Sequence, residues 1–314
     1  MAKSSAHTPS KSEDGLTRAQ DLWFQDCGLI IQAEDTIFRV SGAILAVQST
    51  VFRDMLSLST PGNADTMDGC AFVLLPDTAQ DTGNFLRAVL CFGFFDPFPA
   101  STTFPILLSV LRMSHKYEAG ALRKRALIHL SHVYPTTLDE WDDLPDKLPW
   151  GGEALQITEI ARQLSADWIL PTSFYRICQH SFDREIITGD ELSDADKVNC
   201  IKGLRYLETT GAANVLDFLL VSYSNCSSLL HCMKSRQAIR REVETEMRKY
   251  DAKYSTAMPL ELFLEDPAKV CTGCFSEMKM LHDEARKELW KNLPRIFGLD
   301  DWEKLEGMKA EALK

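Results

Sequence analysis

The sequence predicts an α+β fold: short strands and helices mixed over residues 20–133, then helices alone over 153–314. Three observations predict it. Two apolar runs rich in β-branched residues, 29–33 and 36–40, flank the acidic pair Glu34-Asp35, which is the pattern of a β-hairpin. Helical spacing starts at once after it, with Ile44, Leu45, Phe52, Met55 and Leu56 recurring near the 3.6 period. Beyond residue 152, helical periodicity is almost the only pattern left.

The elements follow in order. Residues 1–18 are small and polar without apolar periodicity, and are expected as a disordered leader. After the hairpin, Ser49 and Thr50 stand where two short helices would break and the second would be capped. Residues 59–70, with Pro61, Gly62, Asn63, Asp65, Asp68 and Gly69, predict a turn-rich loop. Phe72 to Leu75 is a short strand ended by Pro76, and Phe85, Leu86, Val89 and Leu90 share a helix face. Residues 106–132 read as helical, through Leu107, Leu111, His115, Leu122, Ala126 and Leu130. Residues 134–152 carry Pro135, Pro145 and Pro149 among Asp139, Glu140, Asp142, Asp143 and Asp146, and are expected as an acidic linker.

Composition narrows the function classes. The chain has 314 residues, 45% hydrophobic and 25% charged, with net charge −11. A uniformly basic nucleic-acid binder is disfavoured by that charge. The apolar runs fall far short of the roughly 20 residues of a membrane span, and no secretory signal is seen. Nine cysteines in that setting are expected as free thiols, in an intracellular, cytoplasmic or nuclear, compartment.

No nucleophile-elbow, phosphate-loop, dinucleotide or His-Glu-x-x-His motif is present, so the chain is read as no enzyme, with no catalytic or cofactor-binding residues assigned. His129 and His132 lie three apart on a predicted helix but lack a third ligand, and weigh toward half-buried helix histidines. Cys271-Thr272-Gly273-Cys274 is half of a tetrahedral thiolate site. Cys226 and Cys232 are candidates for the other half, with His231 or His282 as substitutes for one cysteine. The looser Cys226–Cys232 spacing weighs toward packed thiols. The discriminating geometry is plain: pairs more than about 10 Å apart cannot share an ion bound at about 2.3 Å, whereas a shared structural zinc brings the sulfurs within about 4 Å of one another. Residues 234–253 carry Lys234, Arg236, Arg240, Arg241, Arg248, Lys249 and Lys253 along an apolar stripe of Ile239, Val243, Met247 and Tyr250, with Glu244 placed to pair with Arg248. A solvated helix face is favoured there over a phosphate-facing surface.

The N-terminal part resembles a BTB/POZ domain. Asp26 to Ile31 is similar to that family's first strand, and Phe38-Arg39-Val40 to its second. Ile44-Leu45-Ala46-Val47-Gln48-Ser49-Thr50-Val51-Phe52-Arg53-Asp54-Met55-Leu56 resembles the first helix pair, Phe72 to Asp77 the third strand and Phe85 to Gly93 the next helix. Lys116-Tyr117 with Leu122, Ala126 and Leu130 is similar to the closing helices. The C-terminal signatures Leu170-Pro171-x-x-Phe174-Tyr175, Cys271-x-x-Cys274 and Leu289-Trp290-x-x-Leu293-Pro294-x-x-Phe297-Gly298-Leu299-x-x-Trp302 resemble a large, mostly uncharacterised fungal group of BTB proteins.

The resemblance implies a non-enzymatic interaction module or adaptor that binds protein partners through the BTB domain, with a homo-oligomer among its forms. Two departures qualify it. Ser41-Gly42 supplies no base for the dimer pocket of some members, and no hydrophobic-x-Glu follows Leu56, so recruitment of a cullin scaffold is doubtful. The rival reading is a zinc-stabilised regulator touching nucleic acid through 234–253.

Overall fold

A computed structural model describes residues 15–58, 66–145, 153–180, 183–247, 256–260 and 267–314. The chain divides into two compact units. The first holds residues up to Leu130 together with Leu313–Lys314, and the second Ser131–Ala312.

The first unit is α+β. Strands β1 (Thr17–Trp23), β2 (Leu29–Ala33), β3 (Thr36–Val40), β4 (Thr66–Met67) and β5 (Cys70–Leu75) form one mixed sheet in the order β1-β3-β2-β5-β4. The expected hairpin is β2–β3, antiparallel, with Ile31 opposite Phe38. Glu34 turns it at φ 52°, in the left-handed region. Strand β5 runs parallel to β2 and β1 parallel to β3. Alternation sorts the faces. Ile30 and Ile37 join Cys70 in a small cluster on one face, while Leu29, Ile31, Phe38 and Val40 are buried on the other.

Helices α1 (Gly42–Gln48) and α2 (Thr50–Leu58) break where the sequence places the break. The Ser49 hydroxyl accepts from the Phe52 amide at 3.0 Å and donates to the Tyr117 carbonyl. Phe52 is fully buried, with ring centroids 6.3 Å from Phe85 and 4.8 Å from Tyr117. Helices α3 (Ala79–Leu90), α4 (Phe104–Lys116) and α5 (Gly120–Val133) follow.

Three expectations are corrected: the leader, the acidic linker and the turn-rich loop. The leader was expected to run to residue 18, but β1 begins at Thr17; residues 1–14 lie outside the described ones. The stretch read as helical, 106–132, is helical, as two helices joined by a turn at Glu118 with φ 50°. The acidic linker expected over 134–152 is built into the second unit as far as residue 145, its remainder lying outside the described residues. Thr137 caps helix α6 (Leu138–Asp142), Leu138 is buried, and Trp141 packs 5.4 Å from both Tyr175 and Trp290. Of the turn-rich loop expected over 59–70, residues 59–65 lie outside the described ones; Thr66–Met67 is strand β4 and Asp68-Gly69 the turn into β5.

Among its described residues the second unit is helical. Its long members are α7 (Ala154–Gln163), α8 (Leu170–His180), α10 (Asp194–Tyr206), α12 (Leu229–Met247) and α13 (Thr272–Ile296), with α9 (Asp183–Thr188) and α11 (Ala212–Leu216) short and α14 (Trp302–Ala312) last. Close packing makes one glycine obligatory on α10: a Cβ at Gly203 would stand 2.1 Å from the Phe297 ring. Among the described residues, no helix is long and apolar enough to cross a membrane.

Candidate metal centre

Two loop-to-helix junctions of the second unit meet at their N-terminal ends. The first carries Cys226 in the loop and Cys232 in the opening turn of α12. The second carries Cys271 as N-cap of α13 and Cys274 in its first turn. The ligand atoms of all four cysteines lie within 4.8 Å of one another, close enough to hold a metal ion. Four thiolates at about 2.3 Å from one Zn²⁺ stand roughly 3.8 Å apart, so the widest sulfur pair would close by no more than about 1 Å around an ion.

Local chemistry explains why the chain folds this way. The Cys271 sulfur caps the helix by accepting from the Cys274 amide at 3.5 Å, and the Cys232 sulfur accepts from the Cys271 amide at 3.2 Å. Backbone N–H groups thus point at sulfur in the manner of the positive end of a helix. Gly273 is required by contact rather than by backbone angle. A Cβ there would meet the Asn225 carbonyl oxygen at 2.5 Å, so its absence lets the first junction lie against the second. The Asn225 side-chain amide then donates to Glu277 at 2.8 Å and ties the loop to α13.

Burial and charge divide the four thiols. Cys232 and Cys274 are wholly buried; Cys226 and Cys271 are half-buried. The amide of Cys274, with the hydroxyl and amide of Ser227, pulls the Cys271 thiol down to about 5, so it is ionised at neutral pH. Burial pushes the Cys232 and Cys274 thiols up. Metal uptake must therefore expel protons from the two buried thiols.

The site crowns an apolar cluster of Leu216, Phe218, Leu219, Tyr223, Ile239, Val243, Leu260, Val270 and Met278. Arg236 is buried within hydrogen-bond reach of the Val221 carbonyl, its guanidinium 4.6 Å from the Tyr223 ring centroid.

The two histidines considered as substitute ligands are placed elsewhere. His231 is exposed. His282 is fully buried, with Nδ1 3.3 Å from the Val215 carbonyl and Nε2 2.9 Å from the Met258 carbonyl. His129 is buried with Nε2 2.9 Å from the Asp96 carbonyl, whereas His132 is exposed, so the pair does not converge.

The basic stretch 234–253 is partly committed to internal contacts. Arg236 is buried, and Arg240 pairs with Glu244 at 2.7 Å, the carboxylate that the sequence assigned to Arg248. Ile239 and Val243 form the buried stripe; the side chain of Met247, and Arg248, Lys249, Tyr250 and Lys253 altogether, lie outside the described residues. What sequence reasoning missed is the part of Ser227 and Asn225, whose role depends on a contact between segments some forty residues apart.

No family model matches this chain, and neither a curated protein nor a solved structure matches it.

Proposed function

We propose that this chain is a non-enzymatic interaction protein, a BTB-type module followed by a helical unit that a structural zinc ion holds together. The observation that carries the reading is the convergence of Cys226, Cys232, Cys271 and Cys274 within 4.8 Å. Four soft sulfur donors, with no carboxylate in the cluster among the described residues, suit a closed, structural Zn²⁺ site rather than a catalytic one, which keeps a position for water. The ion would join two segments that are far apart in sequence and so restrict the unfolded chain.

The interaction half of the reading draws on the first unit. Its order of hairpin, helix pair, strand and helices follows the elements on which the BTB resemblance rests. It leaves large apolar side chains in solvent: Val47 is 82% exposed, Leu58 80% and Phe92 fully so. Phe92 lies on a groove of about 390 Å³ whose lining includes Gln48, Phe95, Leu122 and Arg125. Exposed aromatic anchors are what protein interfaces are built around.

The test pairs metal analysis with partner capture. The full-length chain is expected to carry one zinc per molecule. A Phe92→Asp chain is expected to keep its zinc and melting temperature while losing the partners recovered by the wild type. Identical partner recovery from both chains contradicts the interaction reading.

A further inference from the structure

We propose that Arg236 is the counter-charge of the loaded metal centre, a positioning residue that sets how tightly the four thiolates hold an ion and which ionic charge they favour. The inference rests on the reading of the four thiols as a metal centre and names the residue that tunes it.

The problem is one of charge. Four thiolates and one divalent ion sum to −2, and two of the four sulfurs, those of Cys232 and Cys274, are wholly buried in an apolar cluster. A charge in such surroundings is tolerated when an opposite charge lies close by. Arg236 poses the opposite problem. It is buried, no carboxylate pairs with it among the described residues, and its Nε has no hydrogen-bond partner. Arg286, buried as well, pairs with Asp142 and, at 3.6 Å, with Asp283. Arg176 is flanked by two rings, Tyr134 at 4.7 Å and Trp141 at 5.1 Å. Arg236 has one ring and one carbonyl, those of Tyr223 and Val221.

Placement brings the two charges together. Arg236 follows Cys232 by one helical turn on α12, so both stand on the same buried face. A long helical side chain leans toward the N-terminus of its helix, the end of α12 that carries the cysteine. Tyr223, over whose ring the guanidinium lies, belongs to the same buried cluster as Cys232 and Cys274. Nη1 donates to the Val221 carbonyl, on the segment that leads to Cys226. Arg236 thus joins the helix bearing one ligand to the loop bearing another. In a dry interior its attraction to the loaded thiolates is little screened, and it grows with their net negative charge. Four thiolates sum to −2 with a ferrous ion and to −1 with a ferric ion, so Arg236 favours the ferrous form.

The experiment uses the full-length chain loaded with zinc or with iron. Arg236→Gln drops the charge and keeps an N–H for the Val221 carbonyl; Arg236→Met, unbranched and apolar, is the second neutral variant should the first not fold. Arg236→Lys keeps the charge. Zinc affinity is read by competition with a chromogenic chelator, and the ferric/ferrous potential by voltammetry. The neutral variants are expected to hold zinc about tenfold to a hundredfold less tightly, as loss of an outer-shell partner does. Their potential is expected to be more negative, with Arg236→Lys close to the wild type in both measurements. A purely structural role weakens affinity without moving the potential. Neutral variants whose potential equals the wild type's, or a lysine variant that shifts as far as they do, overturn the inference and leave the metal reading standing. A wild-type chain that binds neither ion overturns both.

Discussion

Around the sheet of the first unit, the largest buried side chains are hydrocarbon. Ile31, Phe38, Leu45, Phe52 and Phe85 are all within 1% of complete burial, and they pack as alternation and helical periodicity dictate. Around the thiols of the second unit the interior holds Cys232 and Cys274, the guanidinium of Arg236 and the hydroxyl of Tyr223, with the imidazole of His282 further along α13. Each of these groups has to be satisfied by a partner to be tolerated there. The difference teaches where each region gets its stability. The first is held by apolar area and weakens gradually as methylenes are removed. The second sets a few specific bonds to sulfur and nitrogen on top of its apolar cluster, and is expected to lose more when one donor is taken away.

The largest expected effect breaks the comparison on the polar side. Cys274→Ser removes a buried ligand, and structural zinc supplies on the order of 10 kcal/mol in the small domains it folds. Hydrogen exchange is expected to show loss of protection at the starts of α12 and α13 with the β2–β3 hairpin unaffected; unchanged protection there denies the lock. Chelator treatment of the wild type is expected to give the same pattern.

On the hydrocarbon side, Phe52→Ala should cost on the order of 3–5 kcal/mol, as truncation of a buried ring does. Denaturant melts of this variant are expected to destabilise the first unit while zinc content stays whole. A neutral melt contradicts the core placement of Phe52.

A smaller effect sharpens the contact between the two metal-bearing junctions. Gly273→Ala drives a methyl into the Asn225 carbonyl, an overpacking worth roughly 1–3 kcal/mol. Zinc affinity is expected to fall with it, because the displaced segment carries Cys226. An unchanged affinity means that the junctions tolerate separation.

The smallest effect concerns pH. Burial holds the His282 imidazole below its ordinary range. The unfolded chain therefore binds a proton near pH 6.5 that the folded chain refuses, so this group's contribution is fully present above about pH 6.5 and is lost as pH falls toward the folded value. Melts between pH 7.5 and 5 are expected to slope less steeply for His282→Gln than for the wild type. Parallel slopes remove His282 from the account.

How much of this was legible follows the same divide. The β2–β3 hairpin, the α1–α2 break at Ser49 and the burial of Phe38, Leu45 and Phe52 were readable, because period-2 and period-3.6 patterns of apolar residues are local. Strand β1 was not: Thr-Arg-Ala-Gln-Asp-Leu-Trp shows no alternation, and its strand state comes from parallel pairing with β3. The ordered part of 134–145 was hidden by its acids, although Tyr134, Leu138 and Trp141 anchor it and Asp142 pairs with Arg286. The four cysteines were readable as candidates from residue type alone. Their convergence was not, because a helix begins between Cys226 and Cys232 and loosens the spacing that a knuckle would show.

The central claim is that one metal ion bridges the four thiols. X-ray absorption at the zinc edge on the full-length, zinc-loaded chain tests it most directly. The account predicts a single shell of four sulfurs at about 2.3 Å, lost as one in Cys226→Ser and in Cys271→Ser alike. A shell of nitrogen and oxygen, or a spectrum unchanged by both substitutions, would contradict it.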